Sequence, residues 1–221
     1  MTRKARRATR EMLGLTRAEF ATLRRLDAPE KIHAFLFRLG QNFELDGKDT
    51  CHGVRKVLRL RRAHCIEGAT VAACAMWIRG EPPLLMYMQA VKDVDHVIAL
   101  YRRNGHWGAY SKTNSFGLRG RDPVYRTLRE LAMSYFHEYT NKRGHKTLRT
   151  YSRPYDLRRM SVKKWVTAED GAWDLIDALE AARHYKLVNG RQARLVRRAD
   201  RFETRLGNLL QYRKPKPRKK K

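Results

Sequence analysis

Residues 64–112 constrain the fold more than any other part of the chain. Mostly small and apolar residues fill positions 65–78, a pattern that predicts a buried helix ending at Gly80. Pro82-Pro83 then breaks the chain, and the residues that follow have the composition of strands. Asn104-Gly105 is a strong signal for the tight turn of a β-hairpin. A helix followed by a hairpin requires a fold that packs helices on an antiparallel sheet.

The flanking segments read mostly as helices, so the predicted class is α+β. Thr16 and Glu19 form a capping-box pattern ahead of the first helix, and Pro29 opens the second. The predicted strands are 84–89, 94–101 and 106–111. The remaining predicted helices are 54–60, 122–139, 170–184 and 191–211, with a loop at Pro154 between the second and third of these and with Thr167 and Asp170 as caps of the third.

The length of 221 residues suits one folded domain with appendages. We expect a basic, flexible arm at residues 1–15 and a core with its N-terminal helices at residues 16–160. A helical extension at residues 161–212 and a disordered basic tail at residues 213–221 complete the predicted organisation.

The net charge of +27 is concentrated at the two ends but also persists in the body of the chain. Such a chain attracts polyanions with little sequence preference, because cationic side chains release counterions from phosphate backbones. Non-specific contact of the basic arm and tail with nucleic acid or the ribosome is therefore an expected interaction. A basic surface without such a partner is the alternative.

Composition excludes several classes of protein. Cys51, Cys65 and Cys74 are too few and too irregularly spaced for a disulfide framework or a structural zinc site. Apolar runs are too short to span a bilayer, and the N-terminus does not resemble a secretory signal. We expect a cytoplasmic protein that makes no membrane contact and needs no metal or organic cofactor.

Cys65 is the candidate nucleophile because it opens the predicted apolar helix. Unpaired N–H groups and the positive end of the helix dipole favour a thiolate there, and the same N–H groups can stabilise an oxyanion. Cys74 lies in the helix body and reads as a core residue.

His96 is the candidate base, on the first strand of the hairpin. A four-residue loop places it opposite Ser111, and a two-residue turn at Asn104-Gly105 places it opposite Thr113. Either register puts odd-numbered residues of the return strand on the face of His96, where Ser111 can orient the imidazole. Asp95 points to the opposite face and is discounted.

Residues 60–115 resemble the transglutaminase-like superfamily of papain-related folds. H-C-I-E-G-A is similar to the cysteine motif of that family, D-H-V-I-A-L to its histidine strand, and N-G-H-W-G-A-Y-S to its third strand. The resemblance implies a central helix bearing a nucleophilic cysteine, packed on a small antiparallel sheet, and amide chemistry on a protein or peptide substrate. Members commonly carry a tryptophan four residues before the catalytic aspartate, and four residues after Trp107 stands Ser111.

Ser111 therefore replaces the carboxylate that the resemblance predicts. An uncharged orienter stabilises an imidazolium less than a carboxylate does. Thr113 or Asn114 could serve in its place if the strand bulges, or a carboxylate could arrive from elsewhere. Three hypotheses follow: a cysteine hydrolase or acyltransferase using Cys65, His96 and Ser111, a catalytically degenerate module that binds nucleic acid or the ribosome, and a scaffold that contacts partners through its C-terminal helices.

Overall fold

The computed structural model describes residues 6–45, 47–169 and 171–215. The strands within them are β1 Gly40–Gln41, β2 Arg62–Ala63, β3 Leu84–Ala90, β4 His96–Arg103, β5 His106–Tyr110, β6 Arg121–Tyr125, β7 Leu148–Ser152, β8 Tyr155–Asp156 and β9 His184–Lys186. Seven of them form one antiparallel sheet in the order β6-β5-β4-β3-β7-β9, with β8 paired to β3. The two short strands β1 and β2 pair with each other in parallel.

Helices surround the sheet and confirm the α+β class. The helices are α1 Arg10–Leu13, α2 Arg17–Arg24, α3 Pro29–Arg38, α4 Val54–Leu60, α5 Cys65–Ile78, α6 Leu128–Met133, α7 Trp173–Glu180, α8 Gly190–Leu195 and α9 Arg201–Gly207. Every residue of α5 after Cys65 is buried, because its small side chains let neighbouring elements pack on all sides. The nucleophile candidate thus opens a helix that runs through the core.

The predictions for the N-terminal half are confirmed in outline. Thr16 and Glu19 form the capping box of α2, and Pro29 opens α3. The hairpin of β4 and β5 pairs Arg103 with His106, so its turn is the two-residue Asn104-Gly105. Asn104 has φ 46° and Gly105 φ 81°, the left-handed pair that such turns require.

The predicted helix at 122–139 is wrong at both ends, because only Leu128–Met133 is helical. Residues 121–125 instead form the edge strand β6. Pro123 has no N–H to donate, and an edge strand tolerates this because one of its sides has no partner strand. The helix begins only after Thr127, whose hydroxyl accepts a hydrogen bond from Glu130 N at 3.1 Å. The prediction rested on the helical spacing of apolar residues and missed the strand that precedes the helix.

The C-terminal predictions also need correction. Residues 148–152, expected in the loop before Pro154, form β7 in the sheet. The helix predicted at 170–184 is shorter, begins at Trp173 after Ala172 rather than after Thr167, and is followed by β9; Asp170 lies outside the described residues. The single helix predicted at 191–211 is two short helices, since Asp200 caps a second start by accepting from Phe202 N and Glu203 N.

The described part of the basic arm packs on the body. Leu13 and Leu15 are buried, Ala8 N donates to Trp77 O at 3.1 Å, and Trp77 Nε1 donates to Arg6 O at 3.1 Å. The arm prediction is therefore wrong for residues 6–15, because apolar residues lie between the arginines. Residues 1–5 and the last six residues of the basic tail lie outside the described range. In the part of the chain that is described, no helix has the length and apolar character needed to cross a membrane.

Gly68 lets the end of the hairpin approach the first turns of α5. A Cβ at this position would lie 2.2 Å from Lys112 Cβ and 2.9 Å from its Cγ. We expect Gly68→Ala to lower the free energy of unfolding by about 1–3 kcal/mol, because the overpacking outweighs the better helix propensity of alanine. Urea denaturation measures this. Gly190→Ala, where a Cβ would meet no atom within 4 Å, is the control, and equal stabilities of the two variants would contradict the prediction.

Candidate active site

Cys65 lies half-buried at the first residue of α5, at the wall of a cleft of about 400 Å³. His64, His96 and Lys112 line the same cleft. The backbone N–H groups of the first helical turn have no acceptor within the helix and point toward its N-terminal end. A thiolate or an oxyanion at this position is therefore stabilised by the helix itself.

His96, at the start of β4, is held in one orientation by Ser111. The Nε2 atom of His96 lies 2.8 Å from Ser111 Oγ, and that hydroxyl donates its own proton to Leu118 O at 2.6 Å. Because the hydroxyl proton is committed to Leu118, the oxygen accepts from Nε2–H. Nδ1 is then the nitrogen available to Cys65, which lines the same cleft as His96.

The contact between His96 and Ser111 does not need the register that places them opposite each other. In the observed register Ala99 pairs with Tyr110, and β5 ends there. After Tyr110 the chain no longer pairs with β4, and the Ser111 hydroxyl contacts the His96 ring from outside the paired region. Thr113 and Asn114 do not take this role: Thr113 Oγ1 accepts from Ser115 N at 3.0 Å, and the Asn114 side chain bonds the backbone of Tyr212.

The three cysteines differ sharply in acidity. Burial by itself raises the pKa of the Cys65 thiol, but hydrogen bonds and positive charge from His64 and His96 outweigh it and lower the pKa from 9.0 to about 5. Burial raises the pKa of Cys51 to about 12, and it also raises the pKa of Cys74. Cys65 alone among them is therefore a thiolate at neutral pH, and Cys74 is the core residue that its helix position predicts.

His64 is a second imidazole at the thiol, and it precedes the cysteine directly. Its Nε2 lies 2.6 Å from Thr50 O, and the carboxylates of Glu67 and Glu44 lie 3.5 Å and 3.6 Å away. Burial opposes protonation, but the bond to Cys65 and the charges of Cys65 and Glu67 prevail and raise the pKa of His64 from 6.5 to about 9. A protonated imidazole therefore shares the cleft with the Cys65 thiolate at neutral pH.

Glu67, one turn into α5, is the fully buried carboxylate behind this pair. Its Oε2 accepts from His64 N at 2.8 Å, and its Oε1 accepts from His52 N at 2.9 Å. The Asn42 amide and the Thr50 hydroxyl also donate to it, at 3.2 Å each. A carboxylate thus reaches the site from the nucleophile helix and acts on His64, not on His96.

Lys112 is the other unexpected group of the cleft. Its side chain is fully buried, its Nζ donates to Leu39 O at 2.8 Å, and the ammonium lies 5.0 Å from the centre of the Tyr212 ring. Burial, with a smaller contribution from Arg119, lowers the pKa of Lys112 from 10.5 to about 8. No carboxylate lies within ion-pair distance of it in the described part of the chain, so it adds positive potential to the cleft.

The structure brings Cys65, His96 and Ser111 together, as their order along the chain predicts. Asp95 also lines the cleft, but its carboxylate is bonded away from His96: Oδ1 accepts from Ala90 N and Oδ2 from the Tyr87 hydroxyl, each at 2.8 Å. The residues that sequence reasoning missed are His64, Glu67 and Lys112. The spacing of His64 and Glu67 carried a signal, because a glutamate three residues after a helix cap commonly bonds back to the cap N–H.

Comparison with known proteins leaves this geometry as the main evidence on function. No protein-family model matches the chain, and no curated protein matches it.

Proposed function

We propose that the chain is a cysteine hydrolase or acyltransferase with a transglutaminase-like core, acting on an amide or peptide bond. The observation that carries the proposal is the Cys65 thiol, placed at a helix N-terminus in a cleft that it shares with the imidazoles of His64 and His96. A structural cysteine needs none of these features. The low pKa of the thiol, about 5, is their consequence and provides a nucleophile at neutral pH.

In the acylation step, the Cys65 thiolate attacks the carbonyl carbon of the amide. Backbone N–H groups at the start of α5 stabilise the oxyanion of the tetrahedral intermediate. As the C–N bond breaks, protonated His96 gives its Nδ1 proton to the leaving amine, and a thioester remains on Cys65. Ser111 keeps Nε2–H engaged throughout, so Nδ1 stays directed at the reacting atoms.

In the second step, His96 acts as a base. Its Nδ1 takes a proton from water or from an acceptor amine, which attacks the thioester carbonyl. The C–S bond breaks, the acid or new amide leaves, and the Cys65 thiolate is restored beside protonated His96. His64 donates no proton in this cycle; its positive charge keeps the thiolate stable between turnovers.

The test is alkylation with iodoacetamide at a series of pH values, followed by mass-spectrometric mapping of all three cysteines in one sample. We expect Cys65 labelling to follow a titration near pH 5, because the thiolate is the reacting form, while Cys51 and Cys74 stay unlabelled. Labelling of Cys65 only above pH 8 would contradict the proposal.

Amide cleavage provides the second readout. A library of fluorogenic peptides is offered to the wild-type chain, to Cys65→Ala and to Cys51→Ala. Cleavage that is lost in Cys65→Ala and kept in Cys51→Ala supports the proposed function. Cleavage at the same rate in Cys65→Ala would show that this thiol is not the nucleophile.

A further inference from the structure

Residues 207–212, which we call the C-terminal strap, cross the cleft that holds Cys65 and His96. Gly207 and Leu210 line that cleft directly. The strap begins at the last residue of α9, whose Glu203 carboxylate lies 3.7 Å from Lys146 Nζ. The chain therefore lies along the cleft at Gly207 and Leu210 before its basic end.

The strap is held as an extended peptide would be held at a sheet edge. Phe116 N donates to Leu209 O at 3.2 Å, Gln211 N donates to Asn114 O at 2.9 Å, and Leu210 forms an antiparallel bridge with Ser115. The Asn114 side chain completes the pattern at Tyr212. Its Nδ2 donates to Tyr212 O at 2.9 Å, and its Oδ1 accepts from Tyr212 N at 2.8 Å.

These bonds recognise backbone and not sequence. Main-chain bonding of this type supplies affinity for any extended segment, while one or two side-chain positions supply selectivity. Leu210 is the strap side chain that faces the cleft together with Cys65. Residues 114–116, which we call the docking edge, therefore form a site for an extended peptide with an apolar residue at the Leu210 position.

Few apolar contacts hold the strap on the body of the protein. Helix α9 buries none of its residues, and Leu209 and Leu210 remain 57% and 52% exposed. Segments with few buried apolar side chains and exposed backbone hydrogen bonds open at low free-energy cost. An extended peptide in solution can therefore compete with the strap.

We propose that the docking edge is the binding site for extended peptide substrates and that the C-terminal strap occupies it in the resting chain. The strap is thus an intramolecular competitor that limits access to Cys65. The catalytic consequence of this inference rests on the proposed function, whereas the docking itself does not. Tethering gives the strap an effective concentration on the order of millimolar, so opening it is expected to raise peptide affinity at least about tenfold.

The experiment compares three full-length variants. Gln211→Pro removes the backbone N–H that bonds Asn114 O. Gln211→Ala keeps that N–H and loses only the side-chain bonds to Phe37 O, the Tyr212 hydroxyl and Arg119, so the difference between the two variants measures the main-chain bond. Asn114→Ala weakens the docking edge itself. The measurements are the rate of Cys65 alkylation by iodoacetamide at pH 7 and the binding of a fluorescent peptide with the sequence of residues 207–212.

In Gln211→Pro, Cys65 is expected to be alkylated at least about tenfold faster than in the wild type, and the variant is expected to bind the peptide, while Gln211→Ala, which keeps the main-chain bond, shows a smaller increase. Asn114→Ala is expected to alkylate faster but to bind the peptide poorly. Unchanged alkylation and no peptide binding in Gln211→Pro would overturn the inference. Peptide binding by Gln211→Pro without cleavage of any amide would uphold the docking edge and overturn the proposed function.

Discussion

Glu67→Ala is expected to lower the free energy of unfolding by about 3–5 kcal/mol. The substitution leaves the N–H groups of His64 and His52 and the Asn42 amide without their acceptor in a buried site. Each orphaned donor costs about 1–3 kcal/mol, and water entering the cavity recovers part of that loss. Chemical denaturation with urea, at pH 7 and fixed salt, measures the change.

Glu169→Ala is the matched control for that measurement. The Glu169 side chain is 60% exposed, and its carboxylate is 4.0 Å from Arg59, so its loss is expected to cost less than about 0.5 kcal/mol. Glu67→Gln is expected to fall between the two, because the amide keeps one acceptor oxygen and places N–H groups against other donors. Equal stabilities of Glu67→Ala and Glu169→Ala would show that the buried carboxylate does not hold the site together.

His64→Asn is expected to slow alkylation of Cys65 about 2–100-fold at pH 6. Loss of a nearby positive charge raises a thiol pKa by about 1–3 units, so about half or more of the thiolate present at pH 6 is lost. Asparagine is a favoured residue at a helix N-cap, so the start of α5 should persist. The rates of variant and wild type are expected to converge above pH 9, where both thiols are ionised.

His106→Asn, at the hairpin turn, provides the comparison for a histidine away from the thiol. Its alkylation profile is expected to match the wild type, because the His106 ring bonds Asn104 O and not Cys65. A wild-type profile in His64→Asn would mean that His96 alone activates the thiol, and the charge of His64 would then have no role at the site.

The two shifted groups also link stability to pH in opposite directions. The folded pKa of His64 is raised to about 9, so its contribution is fully present below the ordinary value of 6.5 and is lost as pH rises through 9. The folded pKa of Cys65 is lowered to about 5, so its contribution is present above its ordinary value of 9.0 and is lost as pH falls through 5. The thiolate and imidazolium therefore coexist between about pH 5 and pH 9, as a coupled pair.

The sequence predicted the parts of the site that depend on local periodicity. The apolar run placed Cys65 at a helix start, and strand alternation with Asn104-Gly105 placed His96 and Ser111 on one face. It could not predict the second imidazole, because a residue beside the nucleophile in sequence has no fixed direction until the helix cap is formed. His64 became a neighbour of the thiol only through the bond from its N–H to Glu67.

Other parts of the fold depend on long-range pairing and were missed for that reason. Residues 148–152 carry no strong strand pattern, yet they pair with β3 on one side and with the edge strand β9 on the other. Residues 121–125 read as the start of a helix and became a strand because β5 offered a free edge. Local propensity is a weak guide where such pairing decides the conformation.

The pairing of β1 with β2 limits how short a fragment of the chain can be if it is to keep this site. Gly40 and Gln41 lie beside Arg62 and Ala63, immediately ahead of the nucleophile, and Leu39 O accepts from buried Lys112. A fragment that begins near residue 60 would lack β1 and Leu39. Strand β2 would then have no partner, and the buried Lys112 ammonium would lose its hydrogen-bond acceptor. A fragment that keeps the thiol centre must therefore begin at or before Leu39.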